Sequence, residues 1–173
     1  DEKDTGRGLA ADINPNYRGF EFWSLASSNI YASDGFQTIA KGRLPLNFRI
    51  YWDGDLCDEL LDGTCIYKWN SDEKRCETMT DFRHWQPVSS CNGSKKTPSL
   101  SADIFGDWRE EVILWNWETA SDLVVFTTTI PTDYRIPTLM HDPVYRMSIV
   151  WQNVAYNQPP YLGFYLPDRY GVK

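Results

Sequence analysis

Three segments of this 173-residue chain, 9–23, 49–61 and 100–113, share one order of residues. Each runs from an apolar stretch through a loop of acidic and amide side chains to a glutamate that opens a second apolar stretch. Their lead aspartates, Asp12, Asp53 and Asp103, lie 41 and 50 positions apart. A third apolar stretch follows each, at 30–32, 66–69 and 123–126, alternating or continuously apolar as strands are. Several strands recurring at about 45 residues is the signature of propeller blades, which bury their faces only against neighbours. The fold class expected is therefore all-β, with repeats at about 6–45, 46–90 and 91–135 and a closing segment at 136–173 within one partial propeller spanning 1–173. Three blades and a tail cannot close a ring of roughly 4–8 blades. The chain reads as a fragment whose missing blades lie in cis or on another chain.

Composition agrees with short strands and tight turns. Ten Pro, eleven Gly and a heavy aromatic load (8 Trp, 10 Tyr, 8 Phe) are spread along the chain without a sustained helical stripe, so helix should be scarce. No apolar run approaches the ~18–20 residues of a membrane span. A net charge of −7 without clustered Lys or Arg argues against nucleic acid. Cys57, Cys65, Cys76 and Cys91 form an even set without a CxxC pair, and His84 is not spaced as a zinc partner, so disulfides are expected over four free thiols.

The acidic loops suit a hard cation. Asp12 with Asn14, Asn16 and Glu21, and Asp103 with Asp107 and Glu111, place oxygens two to five residues apart, and Asp53, Asp55 and Glu59 form a shorter version. Such donors favour Ca²⁺ at several sites over Mg²⁺ or zinc. The plainer reading is that Asp, Asn and Gly are turn formers, and one loop alone would not outweigh it. Recurrence at blade spacing favours structural ions.

With these repeats in place, the strings at 6–13, 52–56, 101–112, 138–146 and 151–160 resemble the polysaccharide-lyase family 11 rhamnogalacturonan lyases over nearly the whole chain, covering the C-terminal third or so of such an enzyme. The resemblance implies an eight-bladed, calcium-binding propeller of which this chain is three to four blades. It also implies β-elimination between galacturonate and rhamnose of an acidic plant cell-wall polysaccharide, and an extracellular or periplasmic location. In that reaction a base removes the C5 proton and negative charge builds at the carboxyl end. Calcium and a few placed basic side chains would let an acidic protein hold an acidic sugar.

The family's Asn–Gly–Thr–Lys pattern matches Asn92–Gly93–Ser94–Lys95, implying rhamnose binding by Asn92, Gly93 and Ser94 and charge stabilisation by Lys95. Arg7, at a strand start, resembles the family's cleft arginine, and Tyr156 its sugar-contacting aromatic. Each has a plainer alternative. Asn–Gly is a common turn dipeptide, Lys95 and Lys96 are adjacent, and Arg7 would otherwise pair with Asp4 or Asp103. His141, in Met–His–Asp–Pro, reads as a turn rather than a base, and the general base is expected outside this chain. A lyase is the leading reading, possible only as part of a larger chain. The alternative is a calcium-stabilised carbohydrate-binding or adhesion propeller without catalysis.

Overall fold

The structure is a computed structural model that describes residues 4–152, 154 and 157–171. Among the described residues, twelve strands form three four-stranded antiparallel sheets. The first contains β1 (Gly8–Ala11), β2 (Glu21–Ser24), β3 (Asn29–Ala32) and β4 (Thr38–Lys41), and the second β5 (Phe48–Ile50), β6 (Glu59–Asp62), β7 (Cys65–Asn70) and β8 (Arg75–Asp81). Both run in chain order. The third holds β9 (Val88–Ser89), β10 (Leu100–Ala102), β11 (Glu111–Asn116) and β12 (Leu123–Phe126), with β9 and β10 both pairing with β11. Because β9 joins β11 through Trp115–Ser89 and Asn116–Val88, the third sheet begins before the boundary drawn at 90/91.

The sheets pack face to face, and the period-2 alternation of strand side chains decides what each face touches. Leu9, Ala11, Trp23 and Ile30 of the first sheet share a core with Leu60 and Trp69 of the second. Leu61, Ile66, Phe48 and Ile50 of the second share another with Val112 and Leu114 of the third. Leu60 and Leu61 thus point to opposite faces, and both are fully buried. The two outer faces stay apolar and open. Phe22 stacks on Tyr31 at 5.3 Å on one side, and Leu123 and Val125 are exposed on the other.

The closing segment is helical. Asp142 caps α1 (Pro143–Trp151) by accepting from the Val144 amide, and Pro143 occupies the first turn, so Asp–Pro starts a helix here. A short α2 (Leu166–Tyr170) follows. Between them the chain bonds the backbone of the edge strands β1 and β10 and meets β5 through the Arg49 side chain. The Gln152 amide bonds both the Ser101 carbonyl (2.5 Å) and amide (2.9 Å), the Arg49 guanidinium donates to Pro160 O, and the Tyr161 hydroxyl donates to Ala10 O.

The expected disulfides do not form: all four cysteines are free. Cys65 lies opposite Asp81 and Cys76 opposite Trp69, four positions further along β7. At about 3.3 Å per residue that offset is well beyond disulfide reach.

Candidate functional site

The strands β1, β5 and β10, one from each sheet, all run the same way relative to the site, which gathers at their N-terminal ends. Arg7 precedes β1, Asn47 precedes β5, and the turn at 92–96 lies between β9 and β10. Arg7 Nη1 donates to Asn47 Oδ1 (2.6 Å) and to the Ser94 carbonyl (2.8 Å). The Asn157 amide donates to Asn47 Oδ1 (3.0 Å) and to the Lys95 carbonyl. Asn47 Nδ2 in turn donates to Asp62 Oδ1 (3.0 Å), which also meets Lys96 Nζ at 3.1 Å. The structure therefore brings Arg7 against Asn92–Gly93–Ser94–Lys95 across 87 residues of sequence.

The turn itself is tightly wound. Gly93–Lys95 make a single 3₁₀ turn flanked by Asn92 and Lys96, both left-handed at φ 59° and 48°. Asn adopts that region readily, whereas lysine does so at a cost, so the strain sits at the site. A Cys91–Thr97 bridge closes the base, and Asn92 Nδ2 donates to Thr97 Oγ1. Asn92, Gly93 and Ser94 are exposed and Lys95 is half-buried. Tyr156 lies outside the described residues.

Two arginines show how partners separate roles. Arg49 is buried between the carboxylates of Asp58 (2.8 Å) and Glu110 (2.9 Å), over the Tyr51 ring. Tyr145 OH donates to Glu110 Oε1 and accepts from the Asp103 amide, and Asp58 accepts from the Asp12 amide, so this knot ties all three sheets to α1. Burial raises the carboxyls of Asp58 and Glu110, against the lowering by Arg49. Arg7, by contrast, pairs with neither Asp4 nor Asp103. Among the described residues its guanidinium is held by neutral acceptors, without an ion pair.

The three acidic loops sit at the other, C-terminal ends of β1, β5 and β10. In each, one oxygen of the glutamate that opens the second strand accepts from two consecutive loop amides. Glu21 Oε2 takes Ile13 and Asn14, Glu59 Oε2 takes Trp52 and Asp53, and Glu111 Oε2 takes Ile104 and Phe105. This clip explains why the glutamate recurs. The other oxygen depends on the residue across the strand pair. Ala32 faces Glu21, and the registers of the next strand pairs, extended by one residue, set Lys68 opposite Glu59 and Thr127 opposite Glu111.

The loops therefore differ in what they offer a cation. Among the described residues, Glu21 Oε1 and both oxygens of Asp12 are buried without a well-formed hydrogen bond, the Tyr165 hydroxyl standing near enough to Asp12 to lower its carboxyl somewhat, a donor set that fits Ca²⁺. Burial, with Asp58 nearby, pushes Asp12 up to about 8, and burial pushes Glu21 to about 7. Asn14 Oδ1 accepts from Asn16 N and Ser71 Oγ, and Asn16 is exposed. Asp53, Asp55 and Glu59 converge within 4.8 Å, and the Lys68 ammonium lies among them. Burial alone would lower that ammonium, but the three carboxylates raise it, and burial raises Glu59 to about 8. In the third loop the chain uses the oxygens itself. Asp103 accepts from Gly106 N, Leu139 N and Thr138 Oγ1, Asp107 pairs with Arg109, and Glu111 Oε1 accepts from Thr127.

Asn47, Asn157 and Asp62 are the members of the site that sequence reading missed. Asn157 lies in the Tyr–Asn–Gln–Pro–Pro string that carried the resemblance, so that string held a signal for it; nothing marks Asn47 or Asp62.

An all-β protein of repeated strand–loop–Glu–strand units, with a cationic, amide-lined site at one end of its first strands, is the class that this architecture defines. The family model for "Rhamnogalacturonan lyase family 11, C-terminal domain" matches residues 1–171, and the chain belongs to that family. It is 48% identical over 166 residues to Rhamnogalacturonan endolyase YesW of Bacillus subtilis (strain 168), covering 96% of this chain and 26% of that protein. It is 46% identical over 180 residues to Rhamnogalacturonan exolyase YesX of the same organism, covering 94% and 28%. The solved structure of Bacillus licheniformis Rhamnogalacturonan Lyase PL11 superposes with a TM-score of 0.88 at 47% identity, over 97% of this chain and 28% of that one. The chain thus spans little more than a quarter of the length of the curated relatives it matches.

Proposed function

We propose that a full-length protein carrying this chain cleaves rhamnogalacturonan by β-elimination, and that the Arg7–Asn92–Gly93–Ser94–Lys95 site binds its acidic backbone. The observation that supports this is Arg7, drawn onto the 92–95 turn and held there without a carboxylate partner among the described residues. A galacturonate carboxylate is the complementary ligand, and bidentate pairing to a guanidinium fixes its orientation. As the C5 proton leaves, charge grows on that carboxylate. One cation at about 4 Å and an effective dielectric near 20 supplies on the order of 4 kcal/mol. Arg7 and Lys95 fill that role, Asn92, Gly93 and Ser94 face the rhamnose, and the general base comes from the remainder of the enzyme. Full-length protein given rhamnogalacturonan I should release products with the ultraviolet absorbance of a new C4–C5 double bond. Cleavage without that absorbance would make the enzyme a hydrolase.

The three sheets are read as consecutive blades of a propeller. Their outer apolar faces, Phe22–Tyr31 on one side and Leu123–Val125 on the other, are where the remaining blades would pack, in cis or from another chain. A plant-wall substrate implies an extracellular or periplasmic enzyme.

Calcium fits the Asp12–Glu21 loop best and the Asp53–Asp55–Glu59 loop with Lys68 displaced. The first loop lies five residues along β1 from Arg7 and the second six along β5 from Asn47, about 16–20 Å at ~3.3 Å per residue, so their ions would brace the fold and leave substrate charge to Arg7 and Lys95. The pH dependence follows from the raised carboxyls. With folded values of about 8 and about 7, Asp12 and Glu21 stay protonated when the unfolded chain is already ionised, so ion-free stability falls as pH rises from about 4 through about 8. Calcium binds the ionised pair and reverses this. Its effect on the melting temperature should be larger at pH 8 than at pH 5 and should shrink in Asp12→Asn. An equal shift at both pH values would rule the loop out.

A further inference from the structure

Arg7 and Asp62 carry opposite charges and are joined through one buried side chain without touching. Asn47, 4% exposed, accepts from Arg7 Nη1 and from Asn157 Nδ2 with its oxygen and donates to Asp62 Oδ1 with its nitrogen. The orientation of the amide is determined by its partners, because a flipped amide would set N–H groups against a guanidinium and a carbonyl against a carboxylate. The same oxygen of Asp62 also meets Lys96 Nζ. The order guanidinium, amide, carboxylate, ammonium keeps the acid paired with Lys96.

We infer that Asn47 is a specificity-determining positioning residue, which anchors Arg7 as a neutral acceptor so that its charge remains available to an acidic sugar. This rests on the reading of the site as the binding place of an anionic polysaccharide. A carboxylate at position 47 would fit the same space and bond Arg7 more strongly, but it would compete with the sugar for the guanidinium. An amide holds the same geometry without that competition. Arg49, clamped by Asp58 and Glu110, shows within the same chain what carboxylate partners make of an arginine: a cross-link.

The test uses the full-length protein and two probes, a rhamnogalacturonan I oligosaccharide and the same oligosaccharide with its carboxyls reduced to alcohols. Asn47→Asp should weaken binding of the acidic probe at least tenfold and that of the neutral probe less than threefold. A purely structural Asn47 would weaken both alike, and that result overturns the inference. If Asn47→Asp does not fold, Asn47→Leu carries the test: with the acceptor gone Arg7 loses its anchor, so binding of the acidic probe should weaken at least tenfold and that of the neutral probe less than threefold, and an equal loss of both overturns the inference. The reading beneath it fails differently. Wild-type protein that does not prefer the acidic probe, or Arg7→Gln that binds it as tightly as wild type, removes both.

Discussion

Arg49→Met should cost about 3–5 kcal/mol of folding stability, measured by urea or thermal denaturation, although methionine fills most of the same volume. The loss arises from what stays behind. Asp58 and Glu110 are wholly buried and face the same guanidinium, and without it two carboxyls sit in an apolar setting with one less cation between them. Burial already raises both, so the variant folds by protonating them, and its deficit should grow as pH rises from 5 to 8. The triple change Arg49→Met, Asp58→Asn, Glu110→Gln should recover much of the loss, since it removes the stranded charges. A deficit below about 1 kcal/mol in the single variant would mean that the knot is solvated and carries little of the fold.

Arg7→Ala should lower kcat/KM of the full-length enzyme on rhamnogalacturonan I by on the order of 10²–10³-fold, the scale for removing one preorganised charge-stabilising donor. The melting temperature should hardly move. Arg7 is half-buried and bonded to an amide oxygen and a turn carbonyl, and water replaces a guanidinium in such contacts at small cost. Steady-state kinetics beside a melting curve separates the two effects. Activity within threefold of wild type would remove Arg7 from the site.

The strand–loop–Glu–strand units were legible in the sequence because the glutamate clip is local, bonding amides six to eight residues away in its own loop. What fills the second glutamate oxygen was not legible, since it depends on Ala32, Lys68 or Thr127 on the next strand and so on register. The same limit hid the amide hub. Asn47 meets Arg7 across 40 positions and Asn157 across 110, and nothing in Leu–Asn–Phe marks it. Arg7 and the 92–95 turn were found through family resemblance rather than spacing. His141 reads as part of a turn and lies in one, the 3₁₀ turn Leu139–His141, whereas Asp142–Pro143 just beyond it caps and opens a helix, as an N-cap followed by proline can. The even cysteine count points to bridges only while strand positions are unknown, since register sets Cys65 and Cys76 four rungs apart.

The glutamate clip also bears on how such loops diverge over time. Because one oxygen alone shapes the backbone, the rung opposite is free to drift: alanine leaves the second oxygen unpartnered among the described residues, lysine supplies a tethered ammonium, and threonine closes the place with a hydroxyl. A single substitution at that rung decides whether the carboxylate is neutralised from within its own blade-like unit or left to outside chemistry, with the strands on either side undisturbed.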